Sequence, residues 1–180
     1  MKVLILNGNS KEENGKFDDY IERLADGLNG GGHRATVMKL RDMKINHCIG
    51  CYSCWLKTPG ICALKDDGEK VLSEYINSNF VVFSSPIVMG FVSALLKGVQ
   101  ERMLPLVHPF LYVMEDRSQH MPRYEKYPAC GLLLDKGGDY GEVSSEIIGK
   151  VFESSKSRSF AFMKSMEASP EEIVNEISNI

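Results

Sequence analysis

A chain of 180 residues with 43% hydrophobic content can bury a sizeable core, so a single domain spanning residues 1–180 is expected. A formal charge of −3 and a pI near 5.8 exclude nucleic acid as the main partner, because binding a phosphate backbone calls for a clustered excess of Lys and Arg. No apolar run reaches the length of a membrane span, and Met1-Lys2-Val3 leads straight into a strand, so the protein is expected in the cytoplasm with its five cysteines as reduced thiols or metal ligands.

The first strand is Lys2 to Asn7, apolar on both faces, and Gly8-Asn9-Ser10 ends it abruptly. Asp18 to Leu28 has helical periodicity, with Ile21, Leu24, Ala25 and Leu28 on one face. A strand ending in Gly-x-Ser ahead of a helix offers a hydroxyl and free amides at a positive helix end, which together can hold a phosphate. Many strand-to-helix turns without a ligand look the same. Glu12 and Glu13 would repel a dianion and are expected to face solvent. Asn29-Gly30-Gly31-Gly32 stops the helix, and Ala35 to Leu40 forms the second strand.

Cys48, Cys51, Cys54 and Cys62 follow in a C-x2-C-x2-C-x7-C pattern. Such near neighbours can reach one metal centre. They can equally be small buried hydrophobes, with Tyr52 and Trp55 packed over a site in a loop held by Pro59 and Gly60. The spacing leaves both readings open. The fifth cysteine, Cys130, belongs to a strand and to the core.

Asp66-Asp67-Gly68 supplies acidic capping for a helix through Val71, Leu72, Tyr75 and Ile76. The third strand is Phe80 to Phe83, uncharged, and is broken by Ser84, Ser85, Pro86 and Gly90. From Val92 the apolar residues return at helical spacing, through Leu95, Leu96, Val99 and Met103. The amides of Ile87, Val88, Met89, Gly90 and Phe91 are expected to be free and to point into the crevice above the strand ends, where a flat, acceptor-rich ring such as a flavin would suit them. A purely steric role for Pro86 and Gly90 is the alternative. Leu106 to Tyr127 is irregular, and its length suits a lid, a binding segment or an oligomer contact. Pro128 to Leu134 is the fourth strand, Asp135-Lys136-Gly137-Gly138-Asp139 a glycine-rich turn, 142–152 a helix, and Ser159 to Met163 a fifth strand. Ser169-Pro170-Glu171-Glu172 starts a final helix.

This alternation gives an α/β, doubly wound three-layer sandwich with a five-stranded parallel sheet. The loops after the first, third and fourth strands gather at one edge, where a mononucleotide could lay its phosphate on the first and its ring on the other two.

The chain resembles the NADPH-dependent FMN reductase family of flavodoxin-like proteins, including bacterial NAD(P)H-dependent oxidoreductases, which implies a flavodoxin-like three-layer sandwich. The resemblance rests on Cys48 to Gly60 followed by Asp66-Asp67-Gly68, on Ser85-Pro86 with Gly90, Ala94, Leu96-Lys97 and Arg102, and on Arg123-Tyr124-Glu125 with Tyr127-Pro128. It implies that Asn9, Ser10, Lys11, Asn14, Gly15 and Lys16 hold an FMN phosphate. It further implies that Pro86 to Phe91 line the isoalloxazine edge and that Asp135, Gly137 and Gly138 face its other side. It implies NAD(P)H as the donor, a small-molecule acceptor, and a homodimer or dimer of dimers. No side chain is assigned a proton-transfer role. At position 15 the family often carries a hydroxyl where this chain has glycine, which bears on FMN affinity. The cysteine spacing also resembles that of iron-sulfur flavoproteins, but Cys54-Trp55 and Lys57-Thr58-Pro59-Gly60 look more like cluster-free relatives, so no metal is expected. The alternative function is an electron carrier, flavodoxin-like or iron-sulfur, that turns over no nicotinamide.

Overall fold

The computed structural model describes residues 1–114, 117–136, 146–151 and 160–180. Five parallel strands form the main sheet in the order β2-β1-β3-β7-β8: β1 (Lys2–Asn7), β2 (Arg34–Lys39), β3 (Phe80–Val88), β7 (Ala129–Asp135) and β8 (Phe160–Ser165). A two-residue strand, β4 (Phe91–Val92), turns back antiparallel on the end of β3. The expected architecture and strand count therefore hold for the parallel sheet.

Alternating residues of the uncharged strands feed two cores, one on each face. Leu4, Leu6, Val81, Phe83, Leu132 and Leu134 pack with α3 (Gly68–Ile76) and α4 (Ala94–Glu101). Val3, Ile5, Phe80, Val82 and Leu133 pack with α1 (Gly15–Gly30) and α6 (Pro170–Ser178). Each fully buried aliphatic side chain contributes about 1.5–3 kcal/mol, which is why the uncharged runs 3–7, 80–88 and 129–134 settle in the middle of the sheet. Helix α6 starts as its sequence dictates. Ser169 accepts from the Glu172 amide, the Glu172 carboxylate accepts from the Ser169 amide, and Pro170 occupies the first turn. Residues 146–151 are helical (α5) and lie within the helix expected over 142–152; the rest of that expectation falls outside the described residues. No helix among the described residues is long and apolar enough to cross a membrane.

Two sequence expectations are corrected. Ser84, Ser85 and Pro86 do not end the third strand, which continues to Val88. The pairing of β1 with β3 stops at Asn7 and Ser84, so Pro86 lies beyond the doubly paired part of the strand, where its missing N–H costs least. Most of the described part of the segment 106–127 is regular, against expectation. A short 3-10 turn (Leu104–Leu106) leads into an antiparallel hairpin of β5 (Val107–Met114) and β6 (Arg117–Pro122), separate from the main sheet.

Candidate functional site

Because β1, β3 and β7 are parallel neighbours, their carboxyl ends lie side by side and the loops that leave them share one edge of the sheet. The first of these loops hugs β3: the Gly8 amide donates to the Ser84 carbonyl at 2.8 Å. A Cβ on Gly8 would lie 2.9 Å from that oxygen, so only glycine allows the approach. Ser10, Lys11, Glu12, Glu13, Gly15 and Lys16 are exposed around the start of α1. Asn14 stands at the helix cap position, but its side chain makes no capping bond, so the amides of Gly15 and Lys16 open the helix without a side-chain acceptor. An anion fits such an end.

Beneath this loop lies a polar network that sequence reasoning missed. Asn7 Nδ2 donates to Asp18 Oδ1 at 2.8 Å, and Asn9 Nδ2 to the same oxygen at 3.2 Å. The Arg41 guanidinium reaches both Asp18 oxygens, at 3.2 and 2.6 Å, and the Asn9 carbonyl at 3.4 Å. Asn7 Oδ1 in turn accepts from the Asn9 amide, and Asn9 Oδ1 from the Lys11 amide. Burial pushes the Asp18 carboxyl up, but the hydrogen bonds from Arg41, Asn7 and Asn9 outweigh it and bring it down to about 2. One signal was available: Asp18 falls on the buried face of α1 with Ile21, Ala25 and Leu28, where an unpaired charge would not be tolerated.

The second loop differs from expectation. Ile87 pairs with Val92 and Val88 with Phe91, so the backbone turns back on itself in a tight hairpin instead of running on as an open loop. Met89 and Gly90 form its tip with φ of 50° and 79°, and the Met89 side chain is 96% exposed. Behind it, Ser85 Oγ accepts from the Ser93 amide at 2.8 Å, and Ser93 Oγ caps α4 by accepting from the Leu96 amide. The third loop is described only through Lys136; Asp135 ends β7 opposite Pro86, while Gly137 and Gly138 lie outside the described residues.

None of the crevice residues named above lines the cavity of the cysteine loop. Cys48, Cys51, Cys54 and Cys62 line one cavity together with Arg102, Leu104 and Pro105. The cavity measures about 20 Å³, room for roughly one water. No group of three or more His, Cys, Asp or Glu side chains among the described residues is gathered around a single ion position. Burial raises the Cys54 thiol and the other three sulfurs add to the effect, whereas Ser53 beside the exposed Cys51 holds that thiol low. Trp55, in the helical turn α2 (Ser53–Leu56), donates to the carbonyls of Leu104 and Val107 at 3.0 Å each, and its ring lies 5.1 Å from that of His120. These contacts fix the cysteine loop to the base of the β5–β6 hairpin.

Asp67, at the cap position of α3, makes no capping bond and accepts from the Lys44 amide. The expected acidic acceptor is Asp66, whose Oδ1 takes the Gly68 amide at 3.0 Å, and the same carboxylate forms a two-pronged pair with Arg102, 2.9 Å on each prong, with both side chains 1% exposed. Arg102 also donates to the carbonyl of Asn46, and its Nε has no hydrogen-bond partner among the described residues. Arg123 is likewise a clamp: it donates to the carbonyls of Pro105 and Val107. His120 Nδ1 lies 2.9 Å from the His108 carbonyl, so both histidines belong to the hairpin.

The sequence signature described as NADPH-dependent FMN reductase matches residues 1–110. An iron-sulfur flavoprotein of Archaeoglobus fulgidus is 34% identical over 102 residues, covering 57% of this chain and 48% of that protein. Another of Methanocaldococcus jannaschii is 30% identical over 106 residues, covering 59% and 53%. The chain thus spans about half the length of the curated relatives it matches. Among solved structures, the NAD(P)H:quinone oxidoreductase from Methanothermobacter marburgensis superposes with a TM-score of 0.67 at 16% identity, covering 97% of this chain and 90% of that one. An FMN-dependent NADH-azoreductase of Bacillus anthracis, in complex with FMN, gives 0.58 at 13% identity, covering 99% and 94%.

Proposed function

The chain belongs to the NADPH-dependent FMN reductase family, and from that premise we propose that it is an FMN-dependent oxidoreductase which uses NADH or NADPH to reduce a quinone, a free flavin or a similar small acceptor. The observation that carries this reading is the pair of loops on adjoining strands β1 and β3: one opens α1 with uncapped amides, and the other presents a hairpin tip beside it. Asn9, Ser10, Lys11, Asn14, Gly15 and Lys16 would hold the phosphate. Pro86 to Phe91 would line the ring, and the loop from Asp135 would close its far side. The pocket takes FMN and not FAD, since the first loop has no Gly-x-Gly-x-x-Gly turn for a pyrophosphate.

FMN, when bound, supplies a ring that accepts hydride and releases electrons. The chain's own work is to bind, orient and exclude water, and to set backbone donors where negative charge develops. No side chain is assigned a proton transfer. A homodimer is part of the proposal: Phe110, Leu111, Val113, Met121 and Tyr124 of the hairpin are exposed and apolar, which suits an interface between two copies.

Reconstitution with FMN and with FAD tests the reading. The wild type should take up one FMN per chain, while Gly90→Val should not, because a β-branched residue resists the left-handed conformation at the hairpin tip. A protein that stays colourless with FMN, or that selects FAD, contradicts it.

A second reading, of an iron-sulfur flavoprotein electron carrier, is favoured by the shared cavity of the four thiols and by the names of the relatives. Against it stands the size of that cavity, which would have to open to admit a cluster. Iron analysis of protein purified without oxygen decides between them. If the four thiols serve as packing, no stoichiometric iron is expected; four irons per chain, lost on replacing any one of the four cysteines by serine, would establish the carrier.

A further inference from the structure

We propose that Arg41 and Asp18 are positioning residues for the phosphate loop, and that Arg41 acts chiefly by cancelling the Asp18 charge beneath the place where a phosphate would sit. The proposal rests on the FMN reading and goes beyond it by separating phosphate recognition from ring recognition.

Three observations carry the argument. Asp18 is buried directly under the loop, and its Oδ1 alone gathers Asn7, Asn9 and Arg41. The loop backbone is threaded onto the same cluster, since the Asn9 and Lys11 amides are held by Asn7 Oδ1 and Asn9 Oδ1, and Arg41 also grips the Asn9 carbonyl. Finally, Arg41 comes from the turn after β2, outside the loop, with its side chain 15% exposed, and among the described residues its Nε meets only Asp42, at 3.8 Å. A carboxylate under an anion site is an unfavourable arrangement unless a cation is paired with it. Removing Arg41 leaves that negative charge uncompensated. Removing the Asp18 charge leaves a cation there instead, which favours the phosphate. An ion pair that served stability alone would make the two losses equivalent.

The test compares Arg41→Met, Asp18→Asn and the double variant for binding of FMN and of riboflavin, which has the ring and no phosphate, by quenching of flavin fluorescence. Hydrogen exchange at the Asn9 and Lys11 amides is followed in parallel without flavin. Arg41→Met should weaken FMN binding about tenfold or more and leave riboflavin binding unchanged. It should also speed exchange at both amides. Asp18→Asn should keep FMN affinity within about threefold, and the double variant should recover most of the loss. Equal losses for FMN and riboflavin, equal effects of the two single substitutions, or unchanged exchange in Arg41→Met would each overturn the proposal. A wild type that binds no FMN contradicts the flavin reading instead, and the exchange measurement then still decides whether the pair fixes the loop.

Discussion

At Arg102 the guanidinium gives up its water for the Asp66 carboxylate and the carbonyls of Asn46 and Leu64. Losing one partner strands the other charge in the core, so Asp66→Ala should cost about 3–5 kcal/mol in urea unfolding. A loss under about 1 kcal/mol would mean the pair is solvated in solution. The same carboxylates set an acid limit. Hydrogen bonds from Arg102, opposed by burial and aided by Asn46, hold Asp66 well below the usual range, and Asp18 is brought to about 2. Both folded-state values lie below the unfolded value near 3.9, so their stabilisation is complete above that value and is lost as pH falls through the folded ones. The Tm should be flat from pH 7 to about 5 and drop steeply below about 4, and Asp18→Asn should blunt the drop. Gly15 offers a gain. A Cβ there meets nothing within 4 Å, so Gly15→Ser can supply the hydroxyl that related loops carry. It should tighten FMN several-fold, about 1 kcal/mol, in a fluorescence titration, and an unchanged affinity would place the phosphate elsewhere.

The elements divide by how local their causes are. Strands β1, β3 and β7 were legible because an uncharged run of five or six residues has few places to go except the middle of a parallel sheet. Helix α6 was legible because its cap is written in four consecutive residues. The hairpin of β5 and β6 was not, because its strands include Pro109 and Pro122 and carry apolar side chains that remain exposed, so no alternation marks a buried face. Asp18 was missed for a related reason: its partner Arg41 is 23 residues away and becomes a neighbour only once β1 and β2 pair. The hairpin's base is tied down by Trp55 and Arg123, so its exposed part is best probed by substitution. Replacing Phe110, Leu111 and Val113 by Ser, Ser and Thr should convert a dimer to a folded monomer in sedimentation. A variant that remains dimeric would show that the contact lies elsewhere.

For the whole molecule, the doubly covered sheet makes one rigid edge, and the proposed chemistry depends on that edge holding a flavin that a nicotinamide can reach. The cysteine cavity, lined by Arg102 and held at Trp55 to the base of the hairpin, shares no lining residue with that edge and is taken as packing. The most direct test of the central claim is the absorption spectrum of FMN-reconstituted protein, recorded without oxygen before and after one equivalent of NADH or NADPH. The account predicts an oxidised flavin spectrum that bleaches with either or both donors and returns when a quinone is added. A bound flavin that keeps its colour with both donors, yet is reduced by dithionite, would contradict it and leave an electron carrier in its place.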